Sequence, residues 1–182
     1  MKNKTVRLMV GNAIFIAVCV VLTLISNYIP IGGLTINLAL IAIATAAIIY
    51  GPISGLIVGL VNGGLVMLTA APFFAISPFG TVLTCLLKSG LAGLVCGLVY
   101  KILSKKNRVM ASIIATILVP IVNTGLFFVF ALLFFRELFG SAAGIISALV
   151  TINFAIEFTV CLMLAPSIAY VYTVINRRGY AS

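Results

Sequence analysis

The sequence predicts an all-α, polytopic membrane protein: a single domain, 1–182, of six transmembrane helices with both termini cytoplasmic. Three observations predict it. Of 182 residues, 64% are hydrophobic and only 7% charged, where a soluble domain carries roughly 25% charged residues. Apolar runs of about 20 residues recur along the chain. Nearly all Lys and Arg residues then fall on one side of those runs.

Taken in order, the first span is read over 8–26, behind Lys2, Lys4 and Arg7. No small-x-small cleavage site follows it cleanly, so it reads as a retained helix rather than a signal peptide. Asn27, Pro30, Gly32 and Gly33 break it. The second span, 35–50, is short and stops at Gly51 and Pro52; the third covers 53–69. Pro72, Ser77 and Pro78 mark a loop before the fourth span, 80–103, which ends at Ser104, Lys105, Lys106, Asn107 and Arg108. The fifth, 109–135, contains Pro120, where a kink is expected. The sixth, 142–175, is interrupted by Pro166 and is long enough to project beyond the bilayer. With an even number of spans, Lys2, Lys4, Arg7, Lys101, Lys105, Lys106, Arg108, Arg177 and Arg178 share one side, and Arg136, beside Glu137, stands alone on the other. The richer side is cytoplasmic. Segments 27–34, 71–79 and 136–141 then face outward.

Composition also excludes functions. Eleven Lys and Arg against two acids give a net charge of +9, but the basic residues sit in short patches between apolar runs, so no nucleic acid partner is expected. Cys19, Cys85, Cys96 and Cys161 lie within apolar runs and form no Cys-x-x-Cys pair. With no His and two acids, no metal site and no cofactor are expected, and the cysteines read as small apolar packing residues. The absence of His also removes the usual base for a nucleophile, so no catalytic residue and no enzyme is expected. Lys88 and Ser89 resemble the end of a phosphate loop, but Leu87 stands where its Gly should be. The energy for any transport must come from an ion gradient or a partner.

Small residues recur at helical spacing. Gly51, Gly55, Gly59 and Gly63 form one stripe, Ser89, Gly93 and Gly97 another, and Ala13 and Ala17 a third. Such stripes let helices approach closely, either within the molecule or on another membrane protein.

Few polar side chains enter the spans. Lys88 lies eight residues from the outer end of the fourth span, about 12 Å deep. Asn62, Asn123 and Asn153 reach similar depth, Glu157 lies one turn below Asn153, and Thr81, Thr84 and Lys88 share a face. Phe127 lies one turn from Asn123. A charge at mid-span costs about 2.5–3.5 kcal/mol, so Lys88 does not face lipid. Three readings are open: Lys88 pairs with Glu157 and locks two helices; Lys88, Asn62, Thr84, Asn123, Asn153, Glu157 and Phe127 build a substrate-binding pocket in the outer half of the bundle; or Glu157 relays protons.

These residues resemble the substrate-binding S components of energy-coupling factor (ECF) vitamin transporters, over nearly the whole chain. The resemblance rests on size, span count and Ala13-x-x-x-Ala17. It rests also on the runs Ser77 to Thr81 (Ser-Pro-Phe-Gly-Thr), Leu87 to Gly93 (Leu-Lys-Ser-Gly-Leu-Ala-Gly) with Tyr100 and Lys101 after it, and Val119 to Gly125 (Val-Pro-Ile-Val-Asn-Thr-Gly). Together they are most similar to the riboflavin, folate and pantothenate branch, the last run to the pantothenate type. The resemblance implies a subunit of the bacterial plasma membrane that binds a vitamin from outside and docks on a transmembrane coupling subunit seated on two cytoplasmic ATPases. It is thought to topple in the bilayer, carrying its pocket inward. Ala13 and Ala17 would form part of the docking face, and loops 27–36 and 71–79 would close over the ligand, in a pocket lined by spans four to six. A buried Lys88 suits a carboxylate vitamin such as pantothenate. Folate, riboflavin, pyridoxine and a queuosine precursor are the alternative substrates. The alternative classes are a cell-shape scaffold with no small ligand, and a self-sufficient secondary transporter, for which internal repeats and further acids would be expected.

Overall fold

The computed structural model describes the backbone of residues 4–28, 30–31 and 34–177, and side chains within 5–28, 36–136 and 150–174. Lys2, Gly32, Gly33 and Arg178 lie outside the described residues, as does the side chain of Glu137. The described chain is seven helices and one small hairpin: α1 (Lys4–Asn27), β1 (Pro30–Ile31), β2 (Leu34–Thr35), α2 (Leu40–Tyr50), α3 (Pro52–Met67), α4 (Ala71–Ile76), α5 (Pro78–Leu103), α6 (Arg108–Phe134) and α7 (Arg136–Arg177).

Four helices, α1, α5, α6 and the part of α7 from Val150 to Val174, are long and apolar enough to cross a membrane. The other two expected spans are shorter. With 11 and 16 residues, α2 and α3 extend about 16 and 24 Å, against a hydrocarbon core of about 30 Å. The stretch 35–39, expected within the second span, is not helical. Pro30 and Thr35, and Ile31 and Leu34, pair as an antiparallel hairpin, and β2 rests against α7.

α2 is the axis of the bundle. Eight of its 11 residues are buried, and it contacts α1, α3, α5, α6 and α7. A helix that is apolar all round is placed where it is covered all round. Gly51, at φ +97°, turns the chain directly from α2 into α3, a conformation that a residue with a Cβ adopts at a cost.

The glycine stripes belong to the internal contact between α3 and α5. A Cβ on Gly55 would meet the Gly93 carbonyl, one on Gly59 the Ser89 carbonyl, and one on Gly63 the Cys85 carbonyl. Backbones this close leave no room for a side chain. Gly97 likewise faces Pro52.

Helix starts follow local chemistry. Ser77 caps α5, its Oγ accepting from the Gly80 amide at 3.2 Å, with Pro78 following it. Asn107 caps α6 by accepting from Val109 and Met110. Three expectations are corrected here. Loop 71–79 contains a helical turn and a half, α4. Segment 136–141 is helical and belongs to α7. Pro166 does not interrupt α7, which runs unbroken through it, because a proline removes one hydrogen bond and neighbouring helices hold the rest.

Candidate functional site

A cavity of about 140 Å³ opens where the C-terminal ends of α1, α3 and α6 meet the N-terminal half of α5 and the middle of α7. This is the end of the bundle away from Lys101, Lys105, Lys106 and Arg108. Six of the seven residues expected to bind substrate line it: Thr84, Lys88, Asn123, Phe127, Asn153 and Glu157. Three spans deliver them, because one helix face carries Thr84 and Lys88, a second Asn123 and Phe127, and a third Asn153 and Glu157.

Asn62 is placed elsewhere. It is fully buried behind the wall, its Oδ1 accepting from Thr23 Oγ1 at 3.3 Å and its amide donating to Ser89 Oγ at 3.1 Å. Ser89 in turn donates to Asn123 Oδ1 at 3.4 Å. A chain of hydrogen bonds thus runs from α1 through α3 and α5 to Asn123 at the cavity. Its depth in the sequence was readable; its direction was not.

Lys88 and Glu157 do not form an ion pair. The Lys88 ammonium stands 5.2 Å from the centre of the Phe127 ring, a cation–π contact that leaves its hydrogens free. Glu157 is 3% exposed and is held by other groups. Its Oε1 accepts from the backbone N–H of Asn37 at 2.9 Å and from Asn153 Nδ2 at 3.1 Å. The reading in which the two charges merely lock helices together is therefore corrected: α6 packs against both α5 and α7, and the charges stand on walls to either side of it.

Thr84 has spent its hydroxyl hydrogen on the Gly80 carbonyl at 2.6 Å, the usual way a hydroxyl is satisfied within a helix. It offers the cavity a lone pair only. The loop before α2 is stapled down from two sides, by Glu157 at Asn37 and by Ser26, whose Oγ accepts from the Leu38 amide at 3.2 Å. From the other side α4 brings Phe73 over the cavity, edge-on to Phe127 and Phe135 at 6.3 and 5.3 Å between ring centres. Both loops expected as covers, 27–36 and 71–79, contribute to the lining, through Ile36 and through Phe73, and Asn37, just beyond the first, joins them.

Thr23, Ser26, Asn37, Phe73 and Phe135 line the cavity but were not singled out from the sequence. Asn37 carried a signal, as a polar residue at the threshold of an otherwise apolar helix. Phe73 and Phe135 carried none, since aromatic residues are spread along the whole chain. Among the described residues no group of His, Cys, Asp or Glu is arranged to hold a metal.

The described helices thus form an apolar bundle with a polar, charged cavity at one end. A family profile described as ECF transporter, substrate-specific component, matches residues 7–176. The chain belongs to this family. Its members are membrane-embedded, non-enzymatic subunits that bind the substrate of a vitamin transporter. No curated protein and no solved structure gives a significant match. The match spans all six apolar helices, so the cavity and its walls lie within the family's own domain.

Proposed function

We propose that this substrate-specific component is the high-affinity receptor for a small carboxylate vitamin such as pantothenate, taken from the outer side of a bacterial plasma membrane. It would then dock on a transmembrane coupling subunit driven by two cytoplasmic ATPases. The observation that carries the reading is Lys88. Its ammonium lies within the cavity, makes no ion pair among the described residues, and is oriented by an aromatic face. A cation held at depth without a contact ion pair is costly, and a carboxylate ligand offsets that cost through charge-assisted hydrogen bonds. Asn123 supports the same role. Its Oδ1 is occupied by Ser89, which turns its amide N–H groups toward an acceptor. The apolar walls from Phe73, Phe127 and Phe135 suit a ligand with a hydrocarbon middle. A scaffold protein has no need of such a cavity.

Orientation follows the charges. The cavity lies opposite the basic end of the bundle, which the distribution of Lys and Arg places in the cytoplasm. The test is calorimetry of the detergent-purified chain, freed of co-purified ligand, against pantothenate, folate, riboflavin, pyridoxine, niacin and a queuosine precursor. Tight one-to-one binding of a carboxylate vitamin is expected. A folded protein that binds none of them would overturn the receptor reading.

A further inference from the structure

The part of the cavity lined by α7 and the loop before α2 holds polar groups that the protein itself does not satisfy. Glu157 Oε2, Asn153 Oδ1 and both polar atoms of the Asn37 amide are buried without a hydrogen-bond partner, and all three residues line the cavity. A buried acceptor left unpaired costs about 1–3 kcal/mol, and more where it is charged. Three such residues side by side are explained when a ligand supplies the missing partners.

Glu157 shows most clearly that the loop staple is not the whole of its role. Both of its structural donors, Asn37 N–H and Asn153 Nδ2, converge on Oε1. One carbonyl oxygen would serve them, so a neutral amide would staple the loop equally well. The second carboxylate oxygen is surplus to the staple and belongs to the cavity.

Resting on the receptor reading above, the geometry points to a ligand read at both ends: a dipolar acid whose carboxylate meets Lys88 and whose hydroxyl or ammonium donors meet Glu157 Oε2, with Asn153 and Asn37 beside it. Glu157 is then the residue that selects for the donor-bearing end. Lys88 and Glu157 stand on different walls and do not neutralise each other by contact, so each pole takes its own counterpart. The aromatic cover from Phe73 and Phe127 lies over the cavity with them and suits an apolar middle.

The vitamin panel separates this inference from the reading beneath it. Pantothenate and folate carry both an acid and a donor-bearing end. Niacin has the acid alone, and riboflavin, pyridoxine and the queuosine precursor have no carboxylate. Binding of pantothenate or folate is expected. Binding confined to the others would overturn the dipolar assignment and leave the receptor role standing, whereas no binding at all would remove both. On the bound acid, a second measurement isolates Glu157. The wild-type chain should prefer pantothenate over N-(3,3-dimethylbutanoyl)-β-alanine, which lacks both hydroxyls, by at least about tenfold, because a site built to bind a donor rejects the analogue without it. If folate is the ligand, its 2-desamino analogue takes that place. In Glu157→Ala that preference should collapse to within about threefold. A purely structural Glu157 would weaken both ligands alike and keep the ratio, which would overturn the assignment. Glu157→Gln retains an oxygen for the staple and provides the same comparison should the alanine variant fail to fold.

Discussion

Lys88 and Asn62 illustrate how two polar residues at one membrane depth take different roles. Lys88 keeps its hydrogens free beside Phe127; Asn62 has given both ends of its amide to Thr23 and Ser89. Lys88→Ala should therefore weaken vitamin binding about 10- to 100-fold, the equivalent of one charge-assisted hydrogen bond of 1.5–3 kcal/mol, while the protein still inserts. Titration of the variant checks this, and unchanged affinity would remove Lys88 from the site. Asn62→Ala should instead appear in thermal unfolding of the ligand-free protein. The loss should be about 1 kcal/mol, as interhelical hydrogen bonds in membranes are worth less than their burial suggests. A loss of affinity with an unchanged melting temperature would place Asn62 at the ligand after all. The sequence disclosed that both residues were too polar to face lipid. It could not disclose which way each pointed, because helical phase is known from spacing only up to a rotation that packing decides.

At the scale of elements, the contact between α3 and α5 organises the fold. Gly55, Gly59 and Gly63 lie against backbone carbonyls of α5, so the two helices meet closely over about two turns and gain dispersion contact that lipid cannot replace. Gly59→Ala should lower the melting temperature, because its new methyl meets the Ser89 carbonyl. Gly64→Ala, with nothing within 4 Å of the added carbon, should leave it unchanged or raise it slightly, since alanine favours a helix by up to about 1 kcal/mol over glycine. Equal melting temperatures for the two variants would count against the close α3–α5 contact. The four-residue repeat was plain in the sequence, but its partner was not, since a small-residue stripe looks the same whether it meets its own chain or another. The second and sixth spans end elsewhere than hydropathy predicts, for a related reason. Residues 35–39 are apolar enough to read as helix yet serve as the strapped loop that brings Asn37 to Glu157. Arg136 and Glu137 look like a loop, yet they begin α7. Hydropathy reports what a segment faces, and a covered loop and a helix inside a bundle face the same surroundings.

For the whole molecule, two distant surfaces matter. The cavity occupies one end, and α1 presents Ala13 and Ala17, both exposed, on its outer face among Val10, Ile14 and Val18. As part of the proposed docking face, Ala13→Trp and Ala17→Trp should abolish vitamin uptake in cells that carry the coupling subunits, and should leave binding to the purified chain intact. Normal uptake by both variants would remove this face from docking. The hydrogen-bonded chain from Thr23 on α1 through Asn62 and Ser89 to Asn123 holds the same helix to the cavity wall, so that α1 meets both surfaces. The most direct test of the account is native mass spectrometry of the detergent-purified chain presented with the six vitamins together. One adduct per chain is predicted, of the mass of a single carboxylate vitamin, and its loss in Lys88→Ala. A chain that flies bare, or one that holds several vitamins indifferently and keeps them without Lys88, would contradict it.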